Sequence, residues 1–217
     1  MKLLLKNLLG NLLYQELKTV YYFFLRKKLL LFGRPPVSAE SAKAKKRRIK
    51  ENFFDLYCQG SGLDVGYGGD LVHLTAFGWD FEHGDAQTIS SIASSSMNYV
   101  YSSHTLEHMT NPELALINWW RVIKPNGYLI LYVPDRDHYE KKKELPSNFN
   151  LDHKHFFLLE SDEPPVTLGL LSLISRTLSN YKIHYAKVCN DGFFSEGANV
   201  HSLGEYSIEV VLQKIAI

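Results

Sequence analysis

The 217-residue chain is poor in cysteine, with only Cys58 and Cys189. Two cysteines supply no disulfide framework, and a reducing compartment suits them. Uncharged apolar runs are also missing. The most apolar stretch, residues 1–33, is interrupted by Lys2, Lys6, Glu16, Lys18, Arg26, Lys27 and Lys28, so nothing approaches the ~20 residues that span a bilayer. Lys6 and Asn7 break the continuous core that a signal peptide requires, and no small-residue cleavage site follows. Acids are nearly absent from residues 1–50, which hold 13 of the 24 Lys and Arg but only Glu16 and Glu40 of the 23 Asp and Glu. The net charge of +1 therefore hides a basic segment of +11 ahead of a body of −10. The basic segment suits an anionic partner, and the acidic body argues against a nucleic-acid groove.

What is present divides the chain into a basic amphipathic extension, residues 1–50, and one domain, residues 51–217. Three readings fit residues 1–36: helices packed on the domain, a helix bound to a partner protein, or a helix lying on a membrane surface with Lys and Arg toward anionic head groups. Gly33, Pro35 and Pro36 end that pattern, and a helix is expected from near Ser38 or Ser41. Its run Lys43, Lys45, Lys46, Arg47, Arg48 reads as a solvated face or a contact to phosphate or head groups.

The body punctuates itself as alternating strands and helices. "GLDVG" reads as a short buried strand, Gly66-Tyr67-Gly68-Gly69 as a tight turn, and "DLVHLTA" as the start of a helix. Each glycine costs roughly 0.5–1 kcal/mol relative to alanine inside a regular element, so bare main chain here suggests a ligand approaching closely. A dinucleotide fingerprint is incomplete, because Leu71 stands where its third glycine belongs. Asp64 precedes the turn, Asp80 ends a second strand in "FGWDFE", and Asp85 follows in "HGDA"; acids at strand ends accept hydrogen bonds from ribose hydroxyls or an ammonium group. "MNYVYSS" is a strand by composition. "NPELALINWWRVI" is a helix with Asn111 as N-cap and Pro112 at its first position. "YLILYVP" is a strand covered on both faces, Val166–Asn180 a helix, and "YKIHYAKV" with "EYSIEVVLQKI" an antiparallel pair closing the sheet. Such alternation predicts a parallel sheet with helices on both sides.

"LDVGYGGD", "GDA", "SSHTLEHM" and "RVIKPNGYL", in this order, resemble the class I S-adenosylmethionine-dependent methyltransferases. The resemblance runs from about Gly62 to Asp135 and more faintly to the C-terminus. It implies an α/β, Rossmann-like three-layer sandwich with a mostly parallel sheet and an antiparallel C-terminal strand. It also implies S-adenosyl-L-methionine as cofactor, held by Asp64, Gly66, Tyr67, Gly68, Asp80, Asp85, Ala86 and Ser103. One departure stands out: only 27 residues separate Asp70 from Asn98, where the family fits two helices and two strands. One helix is expected to be shortened or lost there.

For the acceptor's proton the sequence offers His104 in "SSHTLEHM" and His153 in "NFNLDHKHFF". Both can equally be structural loop histidines. Asp152 beside His153 could orient that imidazole as a base; in an extended chain Asp152 would instead turn away, leaving His153 and His155 on one face. His104 and His108 are four apart with Glu107 between, but the zinc helix motif puts Glu beside its first His, so no metal is expected. His201 and Glu205 lie near the last strand and are left outside the site; the Trp119-Trp120 pair reads as packing. No Asn-Pro-Pro-Tyr-like signature of amide or base methylation is present. The expected substrate is therefore a hydroxyl on a small molecule, a lipid-linked compound or a saccharide, handled in the cytoplasm or peripherally at the inner face of the membrane. The competing readings are a methyltransferase-like scaffold that binds cofactor weakly and a nicotinamide-dependent oxidoreductase.

Overall fold

The computed structural model describes residues 40–216, so residues 1–36 and their three readings lie outside it. Three short helices come first: α1 (Glu40–Lys43), α2 (Lys45–Lys50) and α3 (Phe53–Tyr57). Then follow β1 (Gly62–Val65), β2 (Ala76–Trp79), β3 (Met97–Ser103), α4 (Pro112–Val122), β4 (Ile123–Pro134), β5 (Phe156–Leu158), β6 (Thr167–Gly169), α5 (Leu170–Thr177), β7 (Tyr181–Cys189) and β8 (Ser207–Lys214). β5 and β6 form a separate parallel pair. The other six strands make one sheet in the order β2-β1-β3-β4-β8-β7. β1 to β4 run parallel, and β8 is antiparallel to both neighbours.

The period of two along each strand sorts side chains into two layers. Leu63, Val100, Leu129 and Leu212 are register partners across four strands, and they pack with Leu116, Trp119 and Val122 of α4 and Leu170, Leu173 and Ile174 of α5. The opposite face offers Tyr99, Tyr101, Ile130 and Val211 to Phe53 of α3. The result is the expected α/β three-layer sandwich, mostly parallel with an antiparallel C-terminal strand. α4 starts where the sequence says: the Asn111 side chain accepts the Leu114 N–H at 2.9 Å, with Pro112 at the first position. Among the described residues no helix is long and apolar enough to cross a membrane.

Three expectations are corrected. "DLVHLTA" does not form a helix. Asp64 takes the Val72 N–H at 2.7 Å, the Ala76 N–H turns back to His73 O at 3.0 Å, and Gly62 N–H bonds Thr75 O at 3.2 Å. Parallel neighbours are usually joined by a dozen or more residues, and the β1–β2 link is too short for a helix. The second connection keeps only a 3-10 turn at Phe81–His83 and irregular turns up to Met97, so both family helices are missing rather than one. The helix of Val166–Asn180 is confined to α5, with β6 ahead of it.

Arg47 and Arg48 are not on a solvated face; both are buried. Arg48 Nε bonds Glu209 Oε1 at 2.7 Å, and its Nη1 bonds the Tyr101 hydroxyl at 2.9 Å. Arg47 reaches Glu209 Oε2 at 2.8 Å and Glu205 Oε2 at 2.9 Å. These ties join residues 40–50, which the sequence reading gives to the extension, to β8 in the middle of the sheet. Burial opposes charge on Glu209, but Arg48 and Arg47 overcome it and hold the carboxyl below its ordinary range. Removing one partner of a buried ion pair leaves an uncompensated charge and costs about 3–5 kcal/mol. Glu209→Gln is therefore expected to lose that much in urea unfolding. Glu51→Gln, which touches Arg47 and Lys187 from a half-exposed position, should lose under ~1 kcal/mol; equal losses would show that the buried pair is not special.

Candidate active site

β1 ends in the glycine turn. Gly66, Gly68 and Gly69 adopt φ of +76°, +57° and +91°, the left-handed region in which a side chain is strained. A Cβ on Gly66 would lie 2.0 Å from Thr105 Oγ1, whereas one on Gly68 or Gly69 would meet nothing within 4 Å. The turn is thus pinned at one end and open at the other. The Tyr67 ring covers Gly78 of β2, where a Cβ would meet it at 2.6 Å. Three acids surround the turn. Asp64 is buried and its carboxyl is raised to about 7, first by burial, with Asp70 and Asp80 adding repulsion against the Val72 N–H and Arg48. Asp80 caps the 3-10 turn, accepting the Phe81 N–H at 2.9 Å. An open, bare main chain ringed by carboxylates fits the aminoacyl half of a sulfonium cofactor, with its ammonium and its positive sulfur.

Two predicted cofactor residues sit apart from the turn. The Asp85 carboxylate closes on the Gln87 N–H at 2.9 Å, and the Ala86 carbonyl accepts the Trp119 indole N–H at 2.8 Å. The second of these bonds ties the segment to α4. Ser103 ends β3, and its carbonyl accepts the Thr105 hydroxyl at 3.0 Å.

The carboxyl edge of the sheet carries a second group of residues. His104 follows β3 at φ +49°, a costly conformation for a non-glycine residue and one that recurs at functional sites. Its Nε2 is 2.8 Å from Ser207 Oγ of β8, and its Nδ1 is 3.8 Å from Glu107 Oε1. Burial, then the neighbouring His153, Lys43, His108 and His201, holds His104 well below the usual imidazole range. The fully buried Glu107 lies in a short 3-10 turn, Leu106–His108, and its carboxyl is raised to about 7 by burial, opposed by His153. Neither of its carboxylate oxygens has a hydrogen-bond partner.

His153 comes from the segment after β4. Asp135 accepts the N–H groups of Asp137 and His138 at 3.1 Å each, which starts a π-helical turn over Arg136–Glu140. That turn brings Glu140 to His153, Oε1 to Nδ1 at 2.5 Å. The Lys154 N–H bonds Glu107 O at 2.8 Å, and Lys154 Nζ bonds His108 O at 2.7 Å, so the two segments are laced together.

The structure therefore joins His104 and His153, 49 positions apart in sequence, around Glu107. It gives His153 Nδ1 to Glu140 and the Asp152 carbonyl to His108 Nδ1 at 3.2 Å, while His155 lies against the backbone of Met109 and Thr110. Sequence reasoning missed Glu140 and Thr105, and it passed over Glu107 as a spacer. It also set aside His201, whose ring packs on Tyr139, Phe149 and Tyr206 beside His104. Glu205 belongs to the Arg47 clamp instead.

Comparison with known proteins agrees with this geometry. The methyltransferase domain family (Methyltransf_11) matches residues 37–131. No curated protein matches the chain. Among solved structures, a SAM-dependent methyltransferase from Archaeoglobus fulgidus is 15% identical over 89% of this chain and 100% of its own, with a TM-score of 0.50. A structure described for the conversion of a disulfide bond into a thioacetal group during echinomycin biosynthesis is 14% identical over 91% of this chain and 92% of its own, with a TM-score of 0.54. At such identities they share the fold. Glycine turn, strand order and the family match over residues 37–131 together support a methyltransferase domain with S-adenosylmethionine as its cofactor.

Proposed function

We propose that the protein methylates a hydroxyl oxygen of a small-molecule, lipid-linked or saccharide acceptor. The observation that carries this reading is Thr105. Its hydroxyl lies 3.1 Å from Val65 O at the end of β1 and packs on Gly66, while its neighbour His104 faces Glu107. One residue thus fixes the glycine turn against the histidine cluster, so cofactor and acceptor would meet at the carboxyl ends of β1 and β3, where open α/β sheets bind ligands.

In this reading Gly66, Gly68 and Tyr67 offer main chain to the aminoacyl half, Asp64 faces its ammonium, and Asp80 takes ribose hydroxyls. Asp85, Ala86 and Ser103 border the adenine and the methionine side. Bound there, S-adenosylmethionine supplies an electrophilic methyl group that needs no further activation. The chain's own work is positioning and handling a proton. His104 Nδ1, 3.8 Å from Glu107 Oε1, receives the acceptor's proton, and Glu140 holds the His153 ring. Tyr139 and Tyr206 stand edge to face on His104 at 6.2 and 6.0 Å, and Phe149 and His201 pack edge to face on Tyr139 at 5.5 and 5.3 Å, walls suited to a ring-bearing acceptor. The basic residues 1–36 would hold the enzyme near a membrane carrying a lipid-linked acceptor. No amide-methylation signature accompanies the site.

Two measurements test this reading. Incubation of the full chain with methyl-labelled cofactor and lysate fractions should place label in small-molecule, lipid or saccharide fractions; label confined to protein or nucleic acid would overturn the hydroxyl assignment. Calorimetric titration with the cofactor tests the seat. Asp64 is close to half protonated at pH 7 and becomes fully ionised beside an ammonium, so binding should release about half a proton there. The release should vanish above about pH 8.5, where Asp64 is already ionised, and also in Asp64→Asn. Gly68→Ala, whose Cβ meets only open space in the free protein, should still fold but bind at least 10-fold more weakly. Unchanged affinity would move the cofactor away from the turn.

A further inference from the structure

The pair Glu107–His153 is odd on ordinary hydrogen-bond grounds. A fully buried carboxylate normally finds donors, because leaving such a group unsatisfied costs roughly 1–3 kcal/mol or more. Glu107 has none. Two imidazoles nevertheless face one of its oxygens: His153 Nε2 at 3.8 Å and His108 Nε2 at 3.9 Å from Oε1. These separations are too long for hydrogen bonds and too short for a water between them. The three donor atoms lie within 4.8 Å of one another. Donors held at about 2.0–2.2 Å from one ion stand about 3–3.6 Å apart, so the two pairs to Oε1 would close by a few tenths of an ångström.

The outer groups fit the same pattern. Metal-binding imidazoles present one ring nitrogen to the ion and give the other to a carboxylate or a backbone carbonyl. His153 Nδ1 lies 2.5 Å from Glu140 Oε1, and His108 Nδ1 lies 3.2 Å from Asp152 O. In both rings it is Nε2 that turns to Glu107. His108 is about a quarter exposed, which gives an ion a way in.

We propose that Glu107, His108 and His153 bind one divalent first-row transition metal ion, of the manganese-to-zinc series. Two imidazoles with one carboxylate favour such ions over magnesium or calcium, which prefer all-oxygen sets. Three protein donors leave coordination positions open, as in catalytic rather than structural sites. The donor set stands by itself; only its place at the acceptor end of the site rests on the function proposed above.

The test uses the full chain, stripped with a chelator and then titrated separately with Mn2+, Co2+ and Zn2+. Elemental analysis after desalting should show one ion per chain. X-ray absorption of the cobalt-loaded protein should show scattering from two or more imidazoles. Glu107→Gln and His153→Gln should each weaken binding at least 100-fold, and Glu140→Gln 10- to 100-fold. Calorimetry with S-adenosylhomocysteine on the same samples reports the cofactor seat. Variants that keep its affinity while losing the ion support the site. Should a variant fail to fold, the wild-type cobalt spectrum decides alone. Less than one ion per chain, a spectrum without imidazole, or unchanged metal affinity in well-folded variants overturns the metal site, and retained binding of the cofactor product would leave the methyltransferase reading standing.

Discussion

The buried carboxylate of Glu209 organises the structure. It sits in the middle of β8 on the face that looks away from α4 and α5, where its register neighbours are Tyr132 and Lys187. A carboxylate there is affordable only with charge beside it. Arg48, Arg47 and the Tyr185 hydroxyl supply that environment. To deliver both guanidinium groups, α2 must lie across the sheet, which fixes the layer above it. The ring of Tyr101 and that of Tyr132 flank Arg48 at 5.1 and 4.8 Å, adding cation–π attraction. One strand then serves two purposes. Two residues before Glu209, Ser207 holds His104; just before the strand, Tyr206 packs on His104 and Tyr139 and is bonded by Glu40 and Lys43. The helices entering from residue 40 are thereby part of the wall behind the site.

The sheet and α4 were legible because local chemistry dictates them. Asn111-Pro112 starts a helix wherever it occurs before an apolar period, and "YLILYVP" has no polar position to turn outward. "DLVHLTA" misled for a physical reason. It reads as a helix start, but β2 begins already at Ala76, and the chain turns back to the sheet through Asp64 on the Val72 N–H and the Gly62 N–H on Thr75 O. No sequence pattern reveals that a strand residue will reach eight positions forward. Arg47 and Arg48 misled in the same way. A run of basic residues is normally solvated, and only the pairing of residue 48 with residue 209 across 161 positions makes burial acceptable.

The candidate site was half legible. Gly66, Gly68, Asp64 and Asp80 are neighbours in space because β1 and β2 pair in register at Val65–Trp79, and a glycine turn after a strand announces itself. His104 and His153 could be picked as residue types but not as partners. Their meeting depends on the π-helical turn at Arg136–Glu140 and on Lys154 bonding the backbone of residues 107–108. Glu107 was set aside because its spacing from His104 does not match the zinc helix motif. The segment is a single 3-10 turn over Leu106–His108, preceded by His104 in a left-handed conformation, and no helix-based spacing rule describes where these side chains meet.

Loss of both helices between β1 and β3 has an electrostatic consequence as well as a steric one. Those helices would lay apolar surface over the end of the sheet. Without them Leu74 and Phe81 are exposed, and the acids at positions 64, 70 and 80 interact over a short, turn-only segment. Asp70 and Asp80 thereby add to burial in raising the Asp64 carboxyl to about 7. At the other end of the site two imidazoles face the buried carboxylate of Glu107 at 3.8 and 3.9 Å. Under the two proposals made above, the glycine turn would take an organic ammonium and the histidines a metal ion. Thr105, bonded to Val65 and wedged against Gly66, is the rigid spacer between them.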